Sequence, residues 1–145
     1  MKIPLINIIR QNSEVKKDLM LIFEDAINDG RLINGPDVEI FEKSFAHTVG
    51  TQHAHACANG TDALYAAIKY MIKPGDEVIV PAMTWIATAA AVTEAGGKPI
   101  FCDIDMNTFT MCPIDLVKKI TKKTRGIIPV HLYGHPCAMD EIMEI

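Results

Sequence analysis

Apolar positions recur along the chain in two rhythms, a spacing of three and four residues and short unbroken runs between such stretches. Leu19, Ile22, Phe23, Ala26 and Ile27 follow the first rhythm and predict a helix over 13–29. Ser13 stands where a cap belongs and Gly30 where a helix ends. Residues 1–10 before it read as an extended segment. Gly35-Pro36 then punctuates the chain, with Pro36 suited to the first turn of a second helix that lines up Val38, Phe41 and Phe45. Residues 53–58 form a strand candidate. Residues 62–72 form a helix with Leu64, Ala67, Ile68 and Met71 on one side, stopped by Pro74-Gly75. The rest alternates: strand 77–80, helix 84–95, strand 99–102, helix 113–120, strand 126–132, a turn at Tyr133-Gly134, and a helix beginning at 139–145.

Several of these strands lack period-two alternation, as expected of strands buried on both faces of a parallel sheet. Repeated strand–helix–strand order adds right-handed crossovers. The fold class expected is α/β, a mainly parallel sheet with helices on both faces. We divide the chain into 1–35, an extended segment and helix, and 36–145, a partial sheet-bearing domain. The helix at 139–145 has no cap after it, which leads us to expect a chain truncated within a helix or a split gene.

Composition narrows the function classes. The 145 residues suffice for one domain core, and a net charge of -4 offers no electrostatic footprint for nucleic acid. Lys118, Lys119, Lys122, Lys123 and Arg125 cluster at an expected helix end, where they complement its dipole. No run approaches the ~20 apolar residues of a membrane span, and residues 1–10 lack the pattern of a signal peptide. Cys57, Cys102, Cys112 and Cys137 form no C-x-x-C pair. We read them mainly as small buried hydrophobes of a protein in the reducing cytoplasm.

Three junctions carry candidate chemistry. Asn59-Gly60-Thr61-Asp62 is a glycine turn opening a helix, where free backbone N–H groups and the positive helix end suit a phosphate. The plain alternative is a capped helix. Trp85, the sole tryptophan, follows a strand and faces the crevice used by ligands in open α/β sheets. It is positioned either to stack on a planar ring or to serve as a core or interface residue. His131 and Tyr133 lie two apart at the end of a strand and share a face if extended. His53 and His55 raise a metal pair, but no third ligand stands nearby, and we expect no metal site.

In order and spacing, these segments resemble the nucleotide-sugar aminotransferases called DegT/DnrJ/EryC1/StrS. The matching stretches are Gly35-Pro36 before Phe41-Glu42, Asn59 to Leu64, Pro74 to Pro81, Thr84 to Thr88, Asp103-Ile104-Asp105, and Pro129 to Gly134. The resemblance implies the incomplete large domain of a fold-type-I transferase dependent on pyridoxal 5'-phosphate (PLP). Such an enzyme is normally a homodimer that moves an amino group from glutamate to a nucleotide-linked keto sugar for polysaccharide or glycoconjugate synthesis. It implies phosphate binding by Gly60 and Thr61 with Asp62 adjoining, ring stacking by Trp85, and pocket positions at Asn34, His131 and Tyr133. The family's Schiff-base lysine, pyridinium-binding aspartate and neighbouring glutamine have no counterpart in this chain, so no catalytic residue is assigned and the chain alone is expected to be inactive. Two other readings stay open. One is a non-catalytic remnant or partner-dependent binding module. The other is a Rossmann enzyme, which the absence of G-x-G-x-x-G opposes.

Overall fold

Val78, Ile79 and Val80 lie on the central strand of a three-stranded parallel sheet. The computed structural model describes residue 4, residues 6–30 and residues 32–145. In chain order the elements are α1 (Ile8–Asp29), α2 (Pro36–Val49), α3 (Gly60–Met71), β1 (Glu77–Pro81), α4 (Ala87–Glu94), β2 (Lys98–Cys102), α5 (Pro113–Lys119), β3 (Thr124–Ile127), a 3-10 turn (Leu132–Gly134) and α6 (Met139–Glu144). They fall into two compact units, Met1–Ala56 and Cys57–Ile145. α2 groups with α1, whereas the sequence reading assigned residues from 36 onward to the sheet-bearing part.

The second unit carries the sheet, ordered β2-β1-β3. Side chains alternate across a strand, and β1 uses both faces. Val78 and Val80 pack with Ile68 of α3 and with Ala91, Val92 and Ala95 at α4. Ile79 points the other way, among Cys102, Met111, Leu116 of α5, Cys137 and Ile142 of α6. Ile79 is in register with Ile100 on β2 and Ile127 on β3, and both join the same cluster. Helices therefore cover both faces, as the unalternating run at 77–80 implied. Each fully buried Val or Ile contributes roughly 1.5–3 kcal/mol of apolar burial.

The first unit is helical among its described residues. α1 ends at Gly30 in the left-handed conformation (φ 65°), and α2 opens with Pro36 and closes at Gly50 (φ 74°). Neither helix sits in a core: α1 buries no residue and α2 buries only Ala46.

Several expectations are corrected. α1 begins at Ile8, because the Asn7 side chain accepts the Arg10 N–H at 3.0 Å. Asn7 is therefore the cap, and Ser13 instead donates its hydroxyl to the Arg10 carbonyl at 2.7 Å. Residues 8–10 are helical rather than extended, and residues 1–3, 5 and 31 lie outside the described residues. Residues 53–58 form no strand, since no neighbouring strand among the described residues supplies a ladder; the Ala56 N–H goes to Glu42 Oε1 at 2.8 Å. α4 starts at Ala87 rather than Thr84, after a turn in which the Thr88 N–H donates to the Trp85 carbonyl at 3.0 Å. The strand expected at 126–132 is β3, ending at Ile127. The Ile128 N–H still reaches the Ile79 carbonyl at 2.9 Å, but Pro129 has no N–H to continue the ladder. Cys102 and Cys137 are buried as expected, whereas Cys57 is exposed.

Candidate cofactor site at the carboxyl edge of the sheet

The strand order places a switch point beside β1. The chain leaves β1 for β2 on one side, then returns past it to β3 on the other. In open parallel sheets the crevice outside the strands' carboxyl ends at such a point is where ligands sit. The loops after β1 and β3 border it, and they carry Trp85 and the His131–Tyr133 segment respectively. α3 joins them from the opposite direction. A short turn, held by the Lys73 N–H on Asp76 Oδ2 at 2.8 Å, ties its end to the start of β1. Its N-terminus therefore points back toward the carboxyl edge.

At that N-terminus the Asn59 side chain accepts the Asp62 N–H at 3.0 Å, and its amide donates to Asp62 Oδ2 at 3.1 Å. The Asn59 carbonyl accepts from the Ala63 N–H at 3.1 Å. Asp62 thus serves the helix cap, which sequence reasoning had not assigned to Asn59. The signal was present as Asn followed three residues later by an acidic side chain, a relative of the capping box. The backbone N–H groups of Gly60 and Thr61 have no acceptor among the described residues. A Cβ built on Gly60 meets nothing within 4 Å, and its φ is not in the left-handed range. Neither packing nor backbone conformation within this chain demands glycine there.

Trp85 sits in the turn between β1 and α4 with 77% of its surface exposed, so the core reading is set aside. Beside it the Thr84 and Thr88 hydroxyls share a hydrogen bond at 3.1 Å, with Thr88 buried. His131 and Tyr133 do not share a strand face, because the chain turns there. Tyr133 adopts φ 53° and is 95% exposed. His131 Nδ1 accepts the Cys137 N–H at 3.0 Å, which puts the neutral ring's proton on Nε2. Asn34 belongs to the other unit. It adopts φ 50° and lines a cavity of about 570 Å³ with Gly35, Pro36, Glu42 and His55. There His55 Nδ1 lies 3.3 Å from Glu42 Oε1. Among the described residues no group of three or more His, Cys, Asp or Glu is placed to hold a metal.

Residues 13–145 match the DegT/DnrJ/EryC1/StrS aminotransferase family. The chain belongs to that family. Over 106 residues, 72% of this chain and 29% of the relative, it is 51% identical to a GDP-perosamine synthase of Caulobacter vibrioides. The crystal structure of DesV from S. venezuelae superposes with a TM-score of 0.92 at 37% identity, over 99% of this chain and 39% of that one. The E. coli GDP-4-keto-6-deoxy-D-mannose-3-dehydratase, solved with bound hydrated PLP, matches with a TM-score of 0.77 at 30% identity, over 83% of this chain and 33% of that one. The aminotransferase-family chain thus spans at most about two fifths of these proteins. No described helix is long and apolar enough to cross a membrane.

Proposed function

We propose that the complete protein is a PLP-dependent sugar aminotransferase, with this chain as its N-terminal part. It would transfer an amino group from glutamate to a nucleotide-linked keto sugar for polysaccharide or glycoconjugate synthesis. The observation that carries this reading is the start of α3 in a member of this family. Two unclaimed N–H groups, at Gly60 and Thr61, stand at a positive helix end with open space where a glycine Cβ would be. That donor set fits a phosphate monoester, with the Thr61 hydroxyl as a third donor. Asn59 and Asp62 keep the turn rigid by holding each other.

PLP, when bound, supplies the electron sink for amino transfer. The residues of this chain bind and orient it. Gly60 and Thr61 hold the phosphate, and the exposed face of Trp85 stacks on the planar ring. His131 and Tyr133 take the sugar side, with Nε2–H of His131 as a donor held by the Nδ1 bond to Cys137. The Schiff-base lysine comes from sequence outside this chain. Among the lysines present, Lys69 donates to the Ala95 carbonyl and Lys119 pairs with Asp115, so neither is free to serve. We place the enzyme in the cytoplasm as a homodimer.

The test is cofactor retention by the native protein. It should hold PLP through dialysis with a visible absorbance band. Gly60→Ala should weaken that binding by about tenfold or more, because the added methyl would occupy the open space through which a phosphate approaches the two N–H donors. Native protein without a band, or a Gly60→Ala protein that binds as wild type, overturns the reading. The likeness to a dehydratase supports one alternative outcome, loss of a hydroxyl without amination. Transfer of labelled nitrogen from glutamate to the sugar product separates the two.

A further inference from the structure

The opposite edge of the sheet, where β1 and β3 begin, carries a second cavity of about 480 Å³. Lys73, Lys122, Lys123 and Arg125 line it, with Tyr70 and the single carboxylate Asp76. The cations come from three segments: the turn after α3, the turn before β3, and β3 itself. None of their side chains has an ion pair or hydrogen-bond partner among the described residues. The acids nearby are already engaged. Asp76 Oδ2 accepts the Lys73 N–H, and the buried Glu77 accepts the Thr121 hydroxyl at 2.6 Å and lies 3.9 Å from Lys98.

Helix dipoles do not account for the four. Lys118 and Lys119 occupy the last turn of α5 and Lys69 that of α3, so the helix ends are already complemented. Lys122, Lys123 and Arg125 lie beyond α5, which corrects the expectation that the whole basic cluster belongs to a helix end. The chain as a whole is acidic, at -4, so this concavity opposes the molecule's net charge. Tyr70 presents a ring 93% exposed beside the cations. With strands of four and five residues between the edges, the cavity lies roughly 13 Å from the cofactor edge.

We propose that this cavity binds a nucleoside diphosphate. The converging cations meet the two phosphates, and Tyr70 offers the flat face on which a base stacks. The size is that of a small-molecule site. A concave wall built from three segments suits a discrete anion better than a flat lipid surface.

The test is protection of lysines from acetylation in the purified native protein, read residue by residue by mass spectrometry with GDP as the probe. GDP should slow acetylation of Lys73, Lys122 and Lys123 several-fold at low ionic strength, less at physiological salt, and leave Lys118 unchanged. Because the readout is local, it is independent of whether GDP also reaches the cofactor edge. Tyr70→Ala should lose most of the protection by GDP while keeping that by pyrophosphate. Both Tyr70 and the lysines are exposed, so the variant keeps its fold. Absence of protection at these three lysines overturns the proposal. So does equal protection by GDP in wild type and Tyr70→Ala, or protection by phosphatidylserine vesicles and not by GDP.

Discussion

The two units of this chain each contain an amphipathic helix, α1 and α3, and end in opposite states. In the first, α1 presents Leu19, Ile22, Phe23 and Ile27 at helical spacing and buries none of them. In the second, every residue of β1 is buried, and clusters fill both faces of the sheet. The first unit's helices are held by local devices: the Asn7 cap, the left-handed Gly30 and Gly50, and Pro36 at a helix start. The second is held by contacts between residues far apart in sequence. Periodicity makes a helix amphipathic, but only an opposing layer turns the apolar face into stability.

The sharpest way to break this contrast is a pair of truncations. Ile79→Ala should lower the urea-unfolding stability of the second unit by about 2–5 kcal/mol, the cost of a large cavity in a packed core. Ile22→Ala, on an exposed helix face, should stay within about 0.5 kcal/mol. Equal effects would mean that α1 is buried in the working protein.

Next is a glycine pair within the second unit. A Cβ at Gly97 would stand 2.5 Å from Ile72 Cδ1 and 3.2 Å from the Val92 carbonyl, whereas one at Gly126 meets nothing within 4 Å. Gly97→Ala should cost about 1–3 kcal/mol by thermal unfolding. Gly126→Ala should be tolerated; a larger loss there would reveal a neighbour outside this chain.

The caps give a smaller effect. Asn59→Ala should destabilise the second unit by about 1 kcal/mol, because α3 packs on the sheet. Asn7→Ala should reduce helicity by circular dichroism and leave the second unit's transition in place.

The smallest signal is a pH dependence. Burial pushes the Cys102 thiol up to about 11, with Asp115 and Cys112 adding to the effect. The folded state holds its proton more tightly than the unfolded thiol, whose ordinary value is 9.0. This contribution is complete below pH 9 and is lost as pH rises from there through about 11. The urea midpoint should fall over that window, and Cys102→Ala should flatten the fall.

Much of this was legible in the chain because the responsible forces are local. Gly30 after a periodic stretch, Pro36 at a helix start, Pro74-Gly75 as a stop and the unbroken run at 77–80 each encode their own conformation. The misses fall where a partner decides. Residues 53–58 alternate in residue type as a strand does, but without a neighbouring ladder among the described residues they form no strand. Ser13 and Asn7 are both competent caps, and hydrogen-bond geometry selected Asn7. Tyr133 and His131 were expected on one strand face, but Pro129 withdraws an N–H and the chain turns. Asn59 was legible at the start of a helix, while its exchange of hydrogen bonds with Asp62 is set by the folded backbone.

By itself the sequence determined the fold class, the family and a helix start at Asn59-Gly60-Thr61, because side-chain period and backbone chemistry act over a few residues. Tertiary structure alone decided that β2 and β3 flank β1 on opposite sides and that Trp85 stands exposed at the carboxyl edge. It also gathered Lys73, Lys122, Lys123 and Arg125 around one cavity at the other edge. Those outcomes depend on which distant segments meet, and the burial that selects the meeting is a property of the packed sheet rather than of any one segment.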